Sequence, residues 1–314
     1  MRKRSLGQTG LEVSELGLGT WGLCGDGYGP VEDSDREEVL ERATALGITL
    51  FETADCYAQG RMEEELGKTV AKDERCIVVT KLGTDLESKP KRKRFDRDFL
   101  LDCFDKSRRR LDKDVLDVVL LHNPSEKALA SGEPTDFLKD RKENHQLRAW
   151  GVSAGNLEVA QKAIEVGADV IQLAYNALHS SDLKELESRI AESKVGVLAR
   201  SVLAYGLLCG QWTTSRIFIP GDHRRKRWSR DQLEERLRQA VALRSAMGGD
   251  VTSQRSAALR FALANPTVSA CILGPKNTLQ LDQLVREAGK GEPYLSEDQK
   301  RRLNTRLSNL GVDT

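Results

Sequence analysis

The sequence predicts an α/β fold, a (β/α)8 barrel of the TIM type, on three observations. Short β-branched runs alternate with charged amphipathic segments to the end of the chain; the runs number eight; and they are apolar almost throughout, as strands buried on both faces are. Such alternation specifies parallel strands joined by helical crossovers, and eight units of this length favour closure. Residues 1–314 suit one barrel with insertions and are expected to form a single unit.

Strands are expected at SELGLGT (14–20), ITLFETA (48–54), RCIVVTK (75–81), VLDVVLL (115–121), LRAWGVS (147–153), DVIQLAY (169–175), VGVLARS (195–201) and SACILG (269–274). Between them DREEVLERATALG (35–47), RDFLLDCFDKSRRRL (97–111), LEVAQKAIEVG (157–167) and DLKELESRIAESK (182–194) read as amphipathic helices, several closed by glycine. The opening RSLGQTGLEVS places a TG turn between alternating segments and reads as an N-terminal β-hairpin. SEDQKRRLNTRLSNLG (296–311) reads as a C-terminal helix capped by Ser296. The stretch 211–232 is long, basic and poorly periodic; after strand seven of a barrel it belongs at the face where loops carry function.

Composition narrows the classes. With 49 Lys and Arg against 48 Asp and Glu, the net charge of +1 gives no overall field toward nucleic acid or an anionic membrane. A basic N-terminus without an apolar h-region, and no run of ~20 apolar residues, point to a soluble cytoplasmic protein. The six cysteines show no CxxC pair or zinc-ligand spacing and read as reduced core thiols, with Cys56 facing away from Tyr57; no metal is expected. KPKRKR (89–94) reads as a solvated loop, and Glu63 as a first-turn helix charge. No GxGxxG follows an early strand, so a Rossmann domain has no support.

The chemistry concentrates at three strand ends. Tyr57, Lys81 and His122 close the runs LFETADCY, CIVVTK and VLDVVLLH, and parallel neighbouring strands would bring them to one mouth. An ammonium near a phenol favours the phenolate and lowers a pKa that is normally near ~10. A histidine there can orient a carbonyl, and Glu52, five residues before Tyr57, can hold Lys81 by a salt bridge.

These four residues resemble the tetrad of the aldo-keto reductases, which move hydride between a nicotinamide and a carbonyl or alcohol. RSLGQTGLEVSELGLGTW (4–21), LLHNP around His122, LRAWGVSAGN (147–156), VIQLAYN (170–176), LARSVLAYGLLCG (198–210) and CILGPKN (271–277) follow that family's motifs in order. The resemblance implies NADPH-dependent reduction of an aldehyde or ketone: Tyr57 as general acid, Lys81 tuning it, His122 positioning a small-molecule carbonyl substrate, Glu52 anchoring Lys81. It also implies NADPH (NADP+) across the barrel top. Ser153 and Gln172 would meet the carboxamide and Arg200 the nicotinamide face. The backbone at Ser201 and Leu203 would follow the pyrophosphate, Lys276 the 2′-phosphate, and Gln280 and Gln283 the adenosine. Trp21 would wall the substrate pocket. His145 and His179 have no such support, and His223 is at most a loop contact.

Three positions depart from the family pattern: Glu52 stands for its aspartate, and Ala154 and Leu284 for two asparagines. Asn156 could stand in for the asparagine missing at 154 or could cap the following helix. The departures keep a second reading open, a cofactor-binding regulatory protein of the same fold with weak or no turnover, like the family's potassium-channel β subunits. A third is an unrelated barrel lyase or isomerase with Lys81 as a Schiff base.

Overall fold

The computed structural model describes residues 1–313. Its eight barrel strands are β1 (Leu16–Gly19), β2 (Leu50–Glu52), β3 (Ile77–Leu82), β4 (Leu116–His122), β5 (Leu147–Ser153), β6 (Val170–Ala174), β7 (Gly196–Arg200) and β8 (Ala270–Leu273). They pair in parallel around a closed ring, with Glu52 beside Val79, Lys81 beside Leu120 and His122 beside Ser153; Cys271 beside Leu16 closes it. The apolar runs place these strands correctly because a strand packed on both faces needs apolar residues at nearly every position.

Alternation along the strands sorts the side chains into two layers. Leu50, Val79, Val118, Leu120, Ala149, Val170 and Leu198 fill the lumen, and Leu6, Leu11 and Val13 of the N-terminal hairpin (Lys3–Ser5 with Glu12–Ser14) close it from below. Their neighbours, such as Leu18, Phe51, Val78, Leu121 and Val152, face outward against the helices. A third cluster joins the helix Gln254–Leu263 and the segment Val241–Ala246 to the C-terminal helix Glu297–Ser308. Ser296 caps that last helix through a reciprocal pair with Gln299, as its sequence implies. Asn156 is likewise a cap, accepting from Val159 N at 3.1 Å, and does not reach the barrel mouth.

Three expectations need correction. The run LFETADCY is strand only through Glu52, and Tyr57 opens a 3-10 turn (Tyr57–Gly60) in which Ala58 (φ 47°), Gln59 (φ 57°) and Gly60 (φ 93°) are all left-handed. Two non-glycine residues in that region carry strain of order 1 kcal/mol or more each, held here in part by Ala58 N donating to Asp26 Oδ2 at 2.9 Å. KPKRKR is solvent-exposed as expected but not loop throughout, since Arg92–Lys93 pairs antiparallel with Thr84–Asp85. Glu63 lies in the first turn of Arg61–Lys68 but is fully buried, bound by Arg110 (Nε to Oε2, 2.7 Å) and by the Thr80 hydroxyl. No helix among the described residues is long and apolar enough to cross a membrane.

Candidate active site

Strand carboxyl ends in a parallel barrel converge on one face, where catalytic side chains of such folds sit. Here that face holds a cavity of about 1060 Å³ lined by Glu52, Tyr57, Lys81 and His122 at its floor. Lys81 is buried; its ammonium donates to Glu52 Oε1 and, at 2.5 Å, to Thr53 O. Its nitrogen lies 4.8 Å from the Tyr57 ring centre, and the Tyr57 and His122 rings meet edge-on at 6.2 Å. The expected salt bridge thus forms, although Tyr57 arrives from the left-handed turn rather than from a strand end.

The longer carboxylate at 52 has a second consequence. Gln172 Nε2 also donates to Glu52 Oε1 at 3.0 Å, and Ser153 donates to Gln172 Oε1 at 2.8 Å, so one hydrogen-bonded chain runs from Ser153 to Lys81. Gly19 makes room: a Cβ there would lie 3.2 Å from Glu52 Oε2 and 2.8 Å from Ile272 Cγ2.

The electrostatics differ from the sequence expectation. Burial, and then the Glu52 charge, push the Tyr57 phenol well above its ordinary value, because Glu52 already compensates the Lys81 ammonium. Tyr57 therefore keeps its proton at neutral pH. Burial, with Lys81 and Lys93 nearby, holds His122 well below 6.5, so its imidazole is neutral. Cys56 does not face away: its Sγ lies 3.7 Å from His122 Nδ1 and lines the cavity. An Asp55 carboxylate oxygen lies within 4.8 Å of Cys56 Sγ and a His122 ring nitrogen, and burial, then the Glu63 charge, raises its carboxyl to about 7.

The residues expected to hold a dinucleotide line the same cavity: Ser153, Gln172, Arg200, Ser201, Leu203, Lys276, Gln280 and Gln283. Arg200 donates to Ala154 O at 2.9 Å, which fixes its guanidinium beside the ends of β5 and β6. Helix Thr278–Ala288, capped by Asn277, presents its free N–H groups beside Lys276, whose Nζ donates to Tyr28 O at 3.1 Å. Gly22 keeps the approach to that end open, since a Cβ would lie 2.9 Å from Gly274 O. Cavity size, donor set and helix terminus fit a dinucleotide.

Trp21 lines the cavity in a cluster the sequence did not reveal. His223 N donates to Gly27 O at 2.8 Å, and the His223 ring packs on Trp21 at 4.6 Å and Tyr28 at 4.8 Å. The segment after β7 thereby bridges to the loop after β1. His145 lies exposed in a turn, and His179 pairs with Asp182; neither lines the cavity.

Residues 15–304 match the Aldo/keto reductase family. The chain belongs to this family. Aldo-keto reductase YhdN of Bacillus subtilis (strain 168) is 27% identical over 323 residues, covering 100% of this chain and 96% of that protein. A probable voltage-gated potassium channel subunit beta of Oryza sativa subsp. japonica is 26% identical over 300 residues, covering 90% of this chain and 89% of its own. The structure of a glycerol dehydrogenase from Gluconobacter oxydans shares the fold, with a TM-score of 0.85 at 23% identity over 99% of this chain and 97% of that one. For an aldo/keto reductase family member, the departure with the clearest structural consequence is Glu52, whose reach ties Gln172 to Lys81.

Proposed function

We propose that this protein catalyses NADPH-dependent reduction of an aldehyde or ketone, with Tyr57 as the proton donor. The observation that carries the reading is the convergence of a protonated phenol, a buried ammonium–carboxylate pair and a neutral imidazole on the floor of one dinucleotide-sized cavity. A dihydronicotinamide bound there would supply the hydride. His122, uncharged, donates one N–H to the carbonyl oxygen and aligns it. Tyr57 gives its proton to the oxygen as negative charge develops there. Lys81 stabilises the phenolate left behind, and Glu52 with Thr53 O holds Lys81 in place. The loops after β1 and β7 meet through His223 and limit water. The test is consumption of NADPH with a panel of aldehydes and ketones, and absence of turnover on all of them overturns the reading.

Glu52 gives the first prediction. Glu52→Gln removes the anion that raises the Tyr57 pKa and loosens Lys81, so the basic limb of the pH–rate profile should move to lower pH. A misplaced Lys81 should also lower kcat by about tenfold to 100-fold. Glu52→Asp should retain or raise activity. Identical profiles for all three proteins would make Glu52 a bystander.

Lys276 gives the second. One charge-assisted contact to a 2′-phosphate is worth roughly 1.5–3 kcal/mol, so NADPH should bind about tenfold or more tighter than NADH. Lys276→Ala should remove most of that preference. Equal dissociation constants for wild type would refute the assignment.

A second reading, cofactor binding with little turnover, draws on the commitment of Gln172 to Glu52 and on the potassium-channel relative. It predicts very low wild-type turnover and a marked rise in Glu52→Asp, where the shorter carboxylate releases Gln172.

A further inference from the structure

The basic run at 89–94 is not spent evenly. In the hairpin Thr84–Asp85 with Arg92–Lys93, neighbouring residues face opposite sides. Arg92 and Asp85, directly opposite each other, pair at 3.4 Å, and Arg94 pairs with Asp96 at 2.6 Å; none of these four lines the cavity. The other face carries Thr84, Leu86, Lys91 and Lys93, and all four line it. Lys93 donates to Thr84 Oγ1 at 2.7 Å, and among the described residues neither Lys91 nor Lys93 has an acidic partner. Of the run's five cations, Arg92 and Arg94 are therefore paired on the outer face, while Lys91 and Lys93, exposed to solvent, line the cavity without an ion-pair partner.

Their position separates them from the dinucleotide residues. The hairpin follows β3, and in the ring order β3 stands opposite β7, while the residues fitted to the dinucleotide follow β5 to β8. Lys93 is close enough to His122 and Lys81 for its charge to act on both, and the buried Asp55 carboxyl acts on Lys93 in turn without forming an ion pair with it. The acids that line the cavity are engaged elsewhere: Glu52 by Lys81, Asp26 by Ala58 N, and Asp222 by Arg224. The lining carries eight Lys and Arg side chains against these three carboxylates, with Arg255 paired to Glu287 outside it, and the phosphates of a dinucleotide at the β7–β8 side would not reach Lys91 and Lys93 beside β3.

We propose that the substrate is an anionic carbonyl compound, bearing a carboxylate or a phosphate, and that Lys91 and Lys93 receive that anion while His122 and Tyr57 hold the carbonyl. This rests on the reductase reading. A mobile pair of ammonium groups on a short hairpin suits a point-charge contact to either oxyanion, without the fixed fork that arginine imposes. The anion specifies which carbonyl compounds bind productively, and the chemical step is unchanged.

The experiment compares kcat/KM for 4-formylbenzoate, 4-formylphenyl phosphate and the neutral methyl 4-formylbenzoate. Wild type should favour at least one charged aldehyde over the ester by about tenfold or more, through KM, and the better of the two identifies carboxylate or phosphate. In Lys91→Met/Lys93→Met the ratio of charged to neutral should fall to about one. Lys93→Arg, which keeps the charge, should preserve it, as should Arg94→Gln on the outer face. Reduction of all three aldehydes with equal kcat/KM, or a preference that survives the double substitution, overturns the anion site and leaves the reductase reading standing. Failure to reduce these or any other carbonyl overturns both.

Discussion

Tyr57→Phe is expected to lower kcat for carbonyl reduction by about 100-fold or more while NADPH affinity stays nearly constant. The substitution removes one hydroxyl and keeps the ring that packs against His122 and under the Lys81 nitrogen, so the floor of the cavity retains its shape. None of the residues fitted to the dinucleotide uses that hydroxyl in the structure. Single-turnover kinetics with a carbonyl whose chemical step limits the rate, together with a direct NADPH titration, measure the two halves separately. Wild-type turnover in the variant would remove Tyr57 from the reaction.

Arg110→Met is expected to destabilise the fold by about 3–5 kcal/mol, the range for removing one partner of a buried ion pair. Glu63 is fully buried and depends on Arg110 for two contacts, at 2.7 and 2.5 Å, with Thr80 as its other partner. Asp55 also loses a neighbouring cation, so a second buried carboxyl pays in the same direction. Chemical denaturation at pH 8 should show the full loss. The companion Arg110→Met/Glu63→Leu should recover much of it, because the cost arises from the stranded charge rather than from the absent bond. A single variant as stable as wild type would mean that the Arg110–Glu63 pair contributes nothing to the fold.

The barrel was legible because its signal is redundant: eight apolar runs, each repeated in register against two neighbours, and caps such as Ser296 with Gln299 that act within four residues. The floor of the site was legible in part. Lys81 and His122 belong to strands, where position along the run dictates direction, and Glu52 reaches Lys81 as its spacing implied. Tyr57 was misplaced on a strand because the turn that aims it uses Ala58 and Gln59 at positive φ, a conformation those residues rarely adopt and their identity does not announce. The phenol's raised pKa followed from burial, which no local pattern encodes. Cys56 and His223 reach the site through loops whose paths depend on contacts far away in sequence. The alternation within KPKRKR was visible, but its meaning required the partner strand at Thr84–Asp85.

The hairpin at the barrel bottom bears on the order in which this chain can fold. Arg4 donates to Leu263 O at 2.7 Å and to Val268 O at 2.8 Å, Gln8 N to Lys194 O at 3.0 Å, and Tyr294 reaches Glu15. The seam of the ring joins Leu16 to Cys271. The partners on that side lie at Lys194 and beyond, so contacts spanning more than 170 residues must form before the lumen is sealed at either edge. Loop-closure entropy makes such contacts slow, and during synthesis the N-terminal segment is made first and satisfied last. Until residues near 273 leave the ribosome, β1 presents an unpaired edge and Leu6, Leu11 and Val13 have no complete lumen to enter. The nascent chain is consequently most exposed to aggregation just before its final strand arrives.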